Sequence, residues 1–433
     1  MNHSDQPEMI VDGKANGKKF LLPFIFVISL FFLWGMAHNL DSSLIPHLKK
    51  ACNLNNVQSM FIDTSVFMAY FLMAIPAGMI LKKLGYKKSM ILGLFVFAAG
   101  AFLFIPAANQ LSYATFLIAL FIIGCGLTIL ETTANPYAAV LGDPAKATFR
   151  LNLAASFNGL AAMVAAYIGT RFILSGKSFS QVELAAMNAF DRNAYFMEEA
   201  SSVKMPYLIL GGFLVVIAVI FCFIYFPEVK TKSIDGKASG SFLSALKHKH
   251  LRWAVVAQFF YVGAQVCVTS SFIRAAQQGA GYTEAKAGDY LILYGFLFTI
   301  GRFAGTALLR FISAQKLLAI YAIIAILLCF VAVYGTGPIM VYALGGLGFF
   351  MSIMFPTIFG LGIEGIGDDT KPGSSWLIMS IVGGAIIPVI MGALIDHFND
   401  QVQIGYYIPL ICFVFILYFG LIGYKIQHQT IKD

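Results

Sequence analysis

The stretch Gly78-Met-Ile-Leu-Lys-Lys-Leu-Gly-Tyr-Lys-Lys-Ser-Met-Ile-Leu-Gly-Leu-Phe-Val-Phe-Ala-Ala-Gly100 decides the fold. Lys82, Lys83, Lys87 and Lys88 crowd a short turn, and an apolar run lies on either side of it. Ser59–Leu81 enters the turn and Ser89–Ala107 leaves it. Each run is about as long as the 20 or so apolar residues that cross a bilayer as a helix. Two such runs joined by a few basic residues predict a membrane hairpin with its turn on the cytoplasmic side.

Working outward, the same pattern recurs along the whole chain and predicts about twelve spans. The first half reads Phe20–Ser42, Ser59–Leu81, Ser89–Ala107, Leu111–Pro136, Leu151–Leu174 and Met205–Pro227. The second half reads Trp253–Ile273, Tyr290–Leu309, Leu317–Tyr334, Ile339–Ile363, Ser374–Ile395 and Ile404–Tyr424. Charged residues make up only 12% of the chain and apolar ones 59%, too little polar surface to wrap a water-facing globule. Lipid offers no partner to an unpaired backbone group, so helices are expected, and no alternating strands of a barrel are visible. The first nineteen residues are polar and lack the apolar core and cleavage site of a secretory signal, so the first span is expected to stay.

Basic residues set the orientation. With both termini cytoplasmic, twenty Lys and Arg fall in inner segments, eight in outer ones, and Arg302 within a span. One inner loop runs mildly the other way, where Glu364, Asp368 and Asp369 outnumber Lys371. The net charge of +8 is thus topological, and no nucleic acid is implied. Six cysteines, none in a CxxC pair, read as small buried residues and not as metal ligands or a disulfide framework. No metal site and no cofactor are expected.

Glu228–His250 is the long polar inner segment and divides the chain six plus six. The expected organisation is an N-terminal arm (1–19), a six-helix half (20–227), a linker (228–250), a second six-helix half (251–425) and a tail (426–433). The halves also resemble each other. Gly305-Thr-Ala-Leu-Leu-Arg-Phe-Ile-Ser-Ala-Gln-Lys316 joins spans eight and nine as the opening stretch joins two and three. Pro136 in span four is matched by Pro356 in span ten. Internal repeats of this kind mark alternating-access carriers, whose substrate binds near the midplane between halves.

Polar side chains inside apolar spans are expensive to insert and functional by default. Span one carries Trp34, His38, Asn39, Asp41 and Ser42. Trp34, His38 and Asp41 share one helical face, with Asn39 and Ser42 beside it. Two readings stand: a binding stripe, or an interfacial cap near the outer end. Glu131 and Asn135, four residues apart in Leu130-Glu-Thr-Thr-Ala-Asn-Pro136, point the same way. A carboxyl group taken out of water among Ile and Leu can exchange a proton, as a relay requires; the bland alternative is a structural interhelical bond. Span five adds Asn152 and Asn158, and span seven puts Gln258, Tyr261 and Gln265 on one face. Amides and hydroxyls both donate and accept, which suits sugar hydroxyls, and aromatic faces suit a sugar ring. Arg302 reads as a snorkelling or paired residue near the inner end of span eight.

At these residues a family resemblance enters. Leu130-Glu-Thr-Thr-Ala-Asn-Pro-Tyr137, Phe149-Arg-Leu-Asn-Leu-Ala154, Phe157-Asn158, Trp253-Ala-Val-Val-Ala-Gln-Phe-Phe-Tyr-Val-Gly-Ala-Gln265 and Pro356-Thr-Ile-Phe359 closely resemble the fucose permease family of the major facilitator superfamily. The resemblance implies a twelve-helix carrier for fucose, galactose, glucose or a related sugar, usually coupled to protons and in some members to sodium. It also implies that Glu131 is the substrate-linked or proton-linked carboxylate and that Trp34, Asn39 and Asn158 line the cavity. Several positions depart from the family. Lys82 stands where the superfamily turn has an acidic residue. Ser42 replaces a span-one aspartate, with Asp41 one residue earlier and about 100° around the helix. Ala155, Thr269 and Phe355 replace a cavity glutamine, tryptophan and tyrosine, so the sugar preference is expected to differ.

The expectation is therefore an all-α membrane protein of the major facilitator fold. It works as a monomer in a bacterial inner membrane, moving a monosaccharide with a proton through Glu131 and Asp41. Trp34, His38, Asn39, Ser42, Asn135, Asn158, Gln258, Tyr261 and Gln265 are expected to bind the sugar. A P-loop, an HExxH pair and a serine nucleophile elbow do not occur, which argues against ATP-driven pumping and against an enzyme.

Overall fold

The computed structural model describes residues 10–11, 18–52, 54, 56–168, 187–227, 229–230 and 241–426. Nine helices among the described residues are long and apolar enough to cross a membrane. One of them, Thr64–Asn109, has 46 residues, about twice the length of one crossing. It belongs to the helix Asn56–Asn109, which breaks at Gly85, whose φ of 75° is open to a residue without Cβ. That break is the basic turn anticipated from the sequence, and it makes spans 2 and 3 (56–84 and 86–109). Lys18–Ala51, apolar over Leu21–Met36, is span 1, and Ala147–Ile168 is span 5.

The remaining spans follow in order. Span 4 is Tyr113–Val140, span 6 Lys204–Phe223, span 7 Lys249–Ala280, span 8 Glu284–Leu308 and span 9 Ala314–Tyr334. Span 10 is broken into Pro338–Met351 and Met354–Gly362, and span 11 into Thr370–Met379 and Gly383–His397. Span 12 is Tyr407–Tyr418, running on into a π-helical turn at Phe419–Gly423. Twelve membrane helices result among the described residues. Span 1 continues through Pro46 to Ala51, past the end at Ser42 that its apolar pattern suggests.

The packing repeats itself. Span 2 packs on span 4 as span 8 packs on span 10, and span 3 on span 6 as span 9 on span 12. Span 1 lies against span 5 as span 7 lies against span 11. Between the two halves, span 2 meets span 11 and span 8 meets span 5, which is one relation seen from both sides of a pseudo-two-fold axis. Side chains such as Ile209, Ile292, Leu327 and Val389 are exposed on the outside of this bundle. A water-soluble protein rarely exposes so much apolar surface, whereas a bilayer covers it.

The halves meet at one end of the bundle. Thr357 of span 10 accepts from Asn152 of span 5 at 3.1 Å, and Trp376 of span 11 donates to the backbone oxygen of Phe242 at 2.9 Å. Phe242 opens a short helix, Phe242–Ala245, in the expected linker, and its ring lies over Gly78 of span 2. Asp369 accepts from Ser244 at 2.7 Å and pairs with His248 at 2.9 Å. The Gly85 turn and the loops 141–146 and 363–369 lie at this same end. A two-residue antiparallel pairing of Ile10–Val11 with Val229–Lys230 joins the expected arm to the chain just after span 6. Six crossings separate those partners, so both belong on one side of the membrane.

The stretch 175–204, between the fifth and sixth spans read from the sequence, is helical over Ala189–Ser201, and its residues up to 186 lie outside the described ones, as do most of the linker and the tail from 427. The cysteines are less uniformly buried than expected. Cys267, Cys329 and Cys412 are buried, Cys52 and Cys125 are half-buried, and Cys222 is exposed on the apolar surface.

Candidate functional site

Span 4 carries the most concentrated polar stretch. Ser112 caps its start by accepting from the Thr115 amide, and the helix is buried without interruption from Gly126 to Ala139. Glu131 is thus surrounded by protein and not by lipid, only 4% exposed. Tyr70 of span 2, itself fully buried, donates its hydroxyl to Glu131 Oε1 at 2.5 Å. Asn135 is buried beside it and donates to the Glu131 backbone oxygen at 2.9 Å. Pro136 lacks the amide that would reach the Thr132 carbonyl, so the helix is one bond short beside this pair. The Asn135 amide nitrogen serves the helix by bonding the Glu131 carbonyl.

Spans 1 and 5 face each other at Gly35 and Asn158. A Cβ on Gly35 would lie 2.7 Å from Asn158 Nδ2 and 2.8 Å from the Asn158 backbone oxygen. The glycine lets the Asn158 side chain approach the span 1 backbone closely. Trp34 is buried against Phe31, with ring centroids 4.1 Å apart. The span 7 counterpart of this approach is Gly263, where a Cβ would meet Ile387 of span 11 at 2.4 Å. One contact holds an amide and the other a hydrocarbon, so the polar chemistry of these paired crossings is in the first half.

On span 7, Gln258 and Tyr261 are fully buried and Gln265 is half-buried. Both amide atoms of Gln258 and the Tyr261 hydroxyl have no hydrogen-bond partner among the described residues. Leaving a buried polar group unpaired costs about 1–3 kcal/mol, so a cluster of them is the signature of groups that wait for a ligand or for water. Phe355 of span 10 packs edge-on against the Tyr261 ring at 6.2 Å.

Of the two readings of Arg302, snorkelling or paired, the structure shows the paired one, with neutral partners. Arg302 neither snorkels nor pairs with a carboxylate among the described residues. It is 8% exposed, and donates to the backbone oxygens of Ser352 and Ala155 at 3.1 and 2.5 Å and to Asn158 Oδ1 at 3.0 Å. The apolar pattern of span 8 cannot reveal this, because the carbonyls that receive the charge belong to spans 5 and 10. The residues the sequence did not single out are Tyr70, Gly35 and, as a site neighbour, Arg302. The candidates His38, Asn39, Asp41 and Ser42 are on the span 1 helix, but their side chains lie outside the described residues.

Two pseudo-symmetric six-helix halves, joined by polar side chains buried between them, define the class: a membrane carrier of the major facilitator fold, not an enzyme. The family model of the Major Facilitator Superfamily matches residues 24–374. The chain is 40% identical over 417 residues to the L-fucose-proton symporter of Escherichia coli (strain K12), covering 95% of each protein. It is 40% identical over 400 residues to the glucose/galactose transporter of Brucella abortus biovar 1 (strain 9-941), covering 92% of each. The crystal structure of the superfamily transporter FucP in the outward conformation matches with a TM-score of 0.86 and 41% identity, covering 93% of this chain and 98% of that one. The chain belongs to the major facilitator superfamily and, within it, to the family of these fucose and glucose/galactose carriers.

Proposed function

We propose that this protein imports a monosaccharide together with a proton, with L-fucose or a closely related hexose as cargo. The observation that carries the reading is the buried Glu131 carboxyl, held by Tyr70 within a polar stretch of span 4. The E. coli relative is named an L-fucose-proton symporter, which fits a titrating carboxyl at this place. The glucose/galactose name of the Brucella relative, at the same identity, supports a second reading in which the cargo is glucose or galactose.

In this mechanism both termini and the Gly85 turn are cytoplasmic, and the protein works as a monomer in the inner membrane of a bacterium. The end at which the halves meet is then the inner end, closed, and the carrier faces outward. Glu131 takes a proton from outside, with Asp41 as a second carboxyl available in span 1. The sugar binds among Asn39, Asn135, Asn158, Gln258 and Gln265, with Trp34 and Tyr261 against its ring and His38 and Ser42 at the entrance. Neutralising Glu131 removes the charge whose enclosure would be most expensive. The loaded halves can then rock, the outer end closes, and sugar and proton leave inward. The polar atoms left unpaired on Gln258 and Tyr261 are satisfied by sugar hydroxyls in the loaded state.

Uptake into proteoliposomes tests this. Accumulation of L-fucose, galactose and glucose is measured under an imposed pH gradient and, separately, under a sodium gradient. The proposal expects concentrative uptake of at least one of these sugars under the pH gradient alone. Accumulation that needs sodium, or none under either gradient, would overturn it.

A further inference from the structure

We infer that Arg302 is a positioning residue that links the grip on the sugar to closure of the inner end. The inference rests on the sugar-carrier reading above, because it takes Asn158 as a binding residue. Arg302 belongs to span 8 in the second half, yet two of its three hydrogen-bond acceptors, Ala155 O and Asn158 Oδ1, belong to span 5 in the first. The third, Ser352 O, lies where span 10 breaks between Met351 and Met354. A helix end has carbonyls without helical partners, and this one is satisfied by the guanidinium.

The surrounding seam does not need a charge to hold it. Asn152 donates to Thr357 at 3.1 Å, Ser156 and Thr306 are 3.3 Å apart, and Thr299 donates to the Gly159 oxygen at 3.2 Å. These neutral bonds stitch spans 5, 8 and 10 from the turn-bearing end toward the middle of the bundle. A cation buried among neutral acceptors is an expensive way to add one more stitch, and such residues are functional by default. What sets Arg302 apart is that one of its acceptors is a side chain of the proposed sugar site.

The chemistry of that contact fixes a direction. A guanidinium only donates, so the end of the Asn158 amide that faces it must be the oxygen. The amide nitrogen is then turned toward Gly35, beside Trp34. Asn158 is thereby presented to the cavity as a donor while the inner end is closed. When spans 5 and 8 separate, Asn158 Oδ1 loses its donor and the amide is free to rotate. The grip weakens as the exit opens, so sugar release follows from opening rather than needing a step of its own.

The test uses a full-length protein with its native cysteines replaced and Leu151→Cys as reporter. Leu151 is fully buried and lies against Gly360 of span 10, so a thiol there reacts only when the inner end parts. Maleimide labelling and the KM for sugar uptake are measured in that background and with Arg302→Gln, Arg302→Lys or Asn152→Ala added. Each variant is first checked for a monodisperse peak in detergent. Loss of a hydrogen bond to a charged group shifts an equilibrium by about tenfold or more. Arg302→Gln is expected to speed labelling at least about fivefold and to raise KM about tenfold, with Arg302→Lys in between. Asn152→Ala, which loosens the same seam without touching Asn158, is expected to speed labelling while KM stays within about twofold. Unchanged labelling and KM in Arg302→Gln would overturn the inference, as would a rise in KM in Asn152→Ala equal to that in Arg302→Gln. Absence of sugar uptake by the unsubstituted protein would instead sink the carrier reading, with the labelling comparison still reporting on the gate.

Discussion

Replacing Gly35 by alanine tests the site with a single carbon atom. The new Cβ would sit 2.8 Å from the backbone oxygen of Asn158, where ordinary contact is 3.4–4 Å. A backbone atom cannot swing aside, so spans 1 and 5 must move apart by roughly 0.6–1.2 Å. Overpacking of this kind costs about 1–3 kcal/mol. Alanine recovers about 1 kcal/mol of that through its better helix propensity. The two nearly offset each other, so the variant is expected to fold and to melt within a few degrees of the unsubstituted protein. The function should respond far more. A displacement of about 1 Å in a group that positions substrate can lower transport about a hundredfold. The assay is initial sugar uptake in proteoliposomes alongside thermal melting in detergent. Gly212→Ala is the control, since a Cβ there meets nothing within 4 Å. Uptake by Gly35→Ala within about twofold of the control would refute the view that the span 1–span 5 approach shapes the site.

Other variants address the groups around it. Tyr70→Phe removes a single hydroxyl from Glu131; with hydrogen bonds to charged groups worth about 1.5–3 kcal/mol, concentrative uptake should fall about tenfold or more with little loss of fold. Gln258→Leu removes two buried atoms that have no partner among the described residues. Melting temperature should hold or rise while KM for the sugar increases about tenfold. A fall in melting temperature with unchanged KM would mark Gln258 as a structural residue.

Much of this architecture could be read in the sequence because membrane helices are selected for composition and length, which are local properties. The turn at Gly85, the divided halves and the buried Glu131–Asn135 stretch all follow from residues adjacent in the chain. What was hidden depends on which spans meet. Tyr70 reads as one more aromatic in an apolar run until span 2 is packed on span 4. Gly35 carries no signal because glycine is common in membrane helices. Arg302 reads as a snorkelling or paired cation, and its partners appear only when spans 5 and 10 supply their carbonyls. The break at Ser380 in span 11 was equally silent, whereas the break at Ser352 in span 10 had a signal in Pro356, which lacks the amide that would reach the Ser352 carbonyl and crowds it.

The central claim is that the Glu131 carboxyl carries the proton that travels with the sugar. Its most direct measurement is the external pH of a lightly buffered suspension of proteoliposomes when sugar is added. The unsubstituted protein should alkalinise the medium on sugar addition, and Glu131→Gln should exchange sugar across the membrane without any pH change. Sugar-dependent alkalinisation that survives in Glu131→Gln, or its absence from an actively transporting unsubstituted protein, would contradict the account.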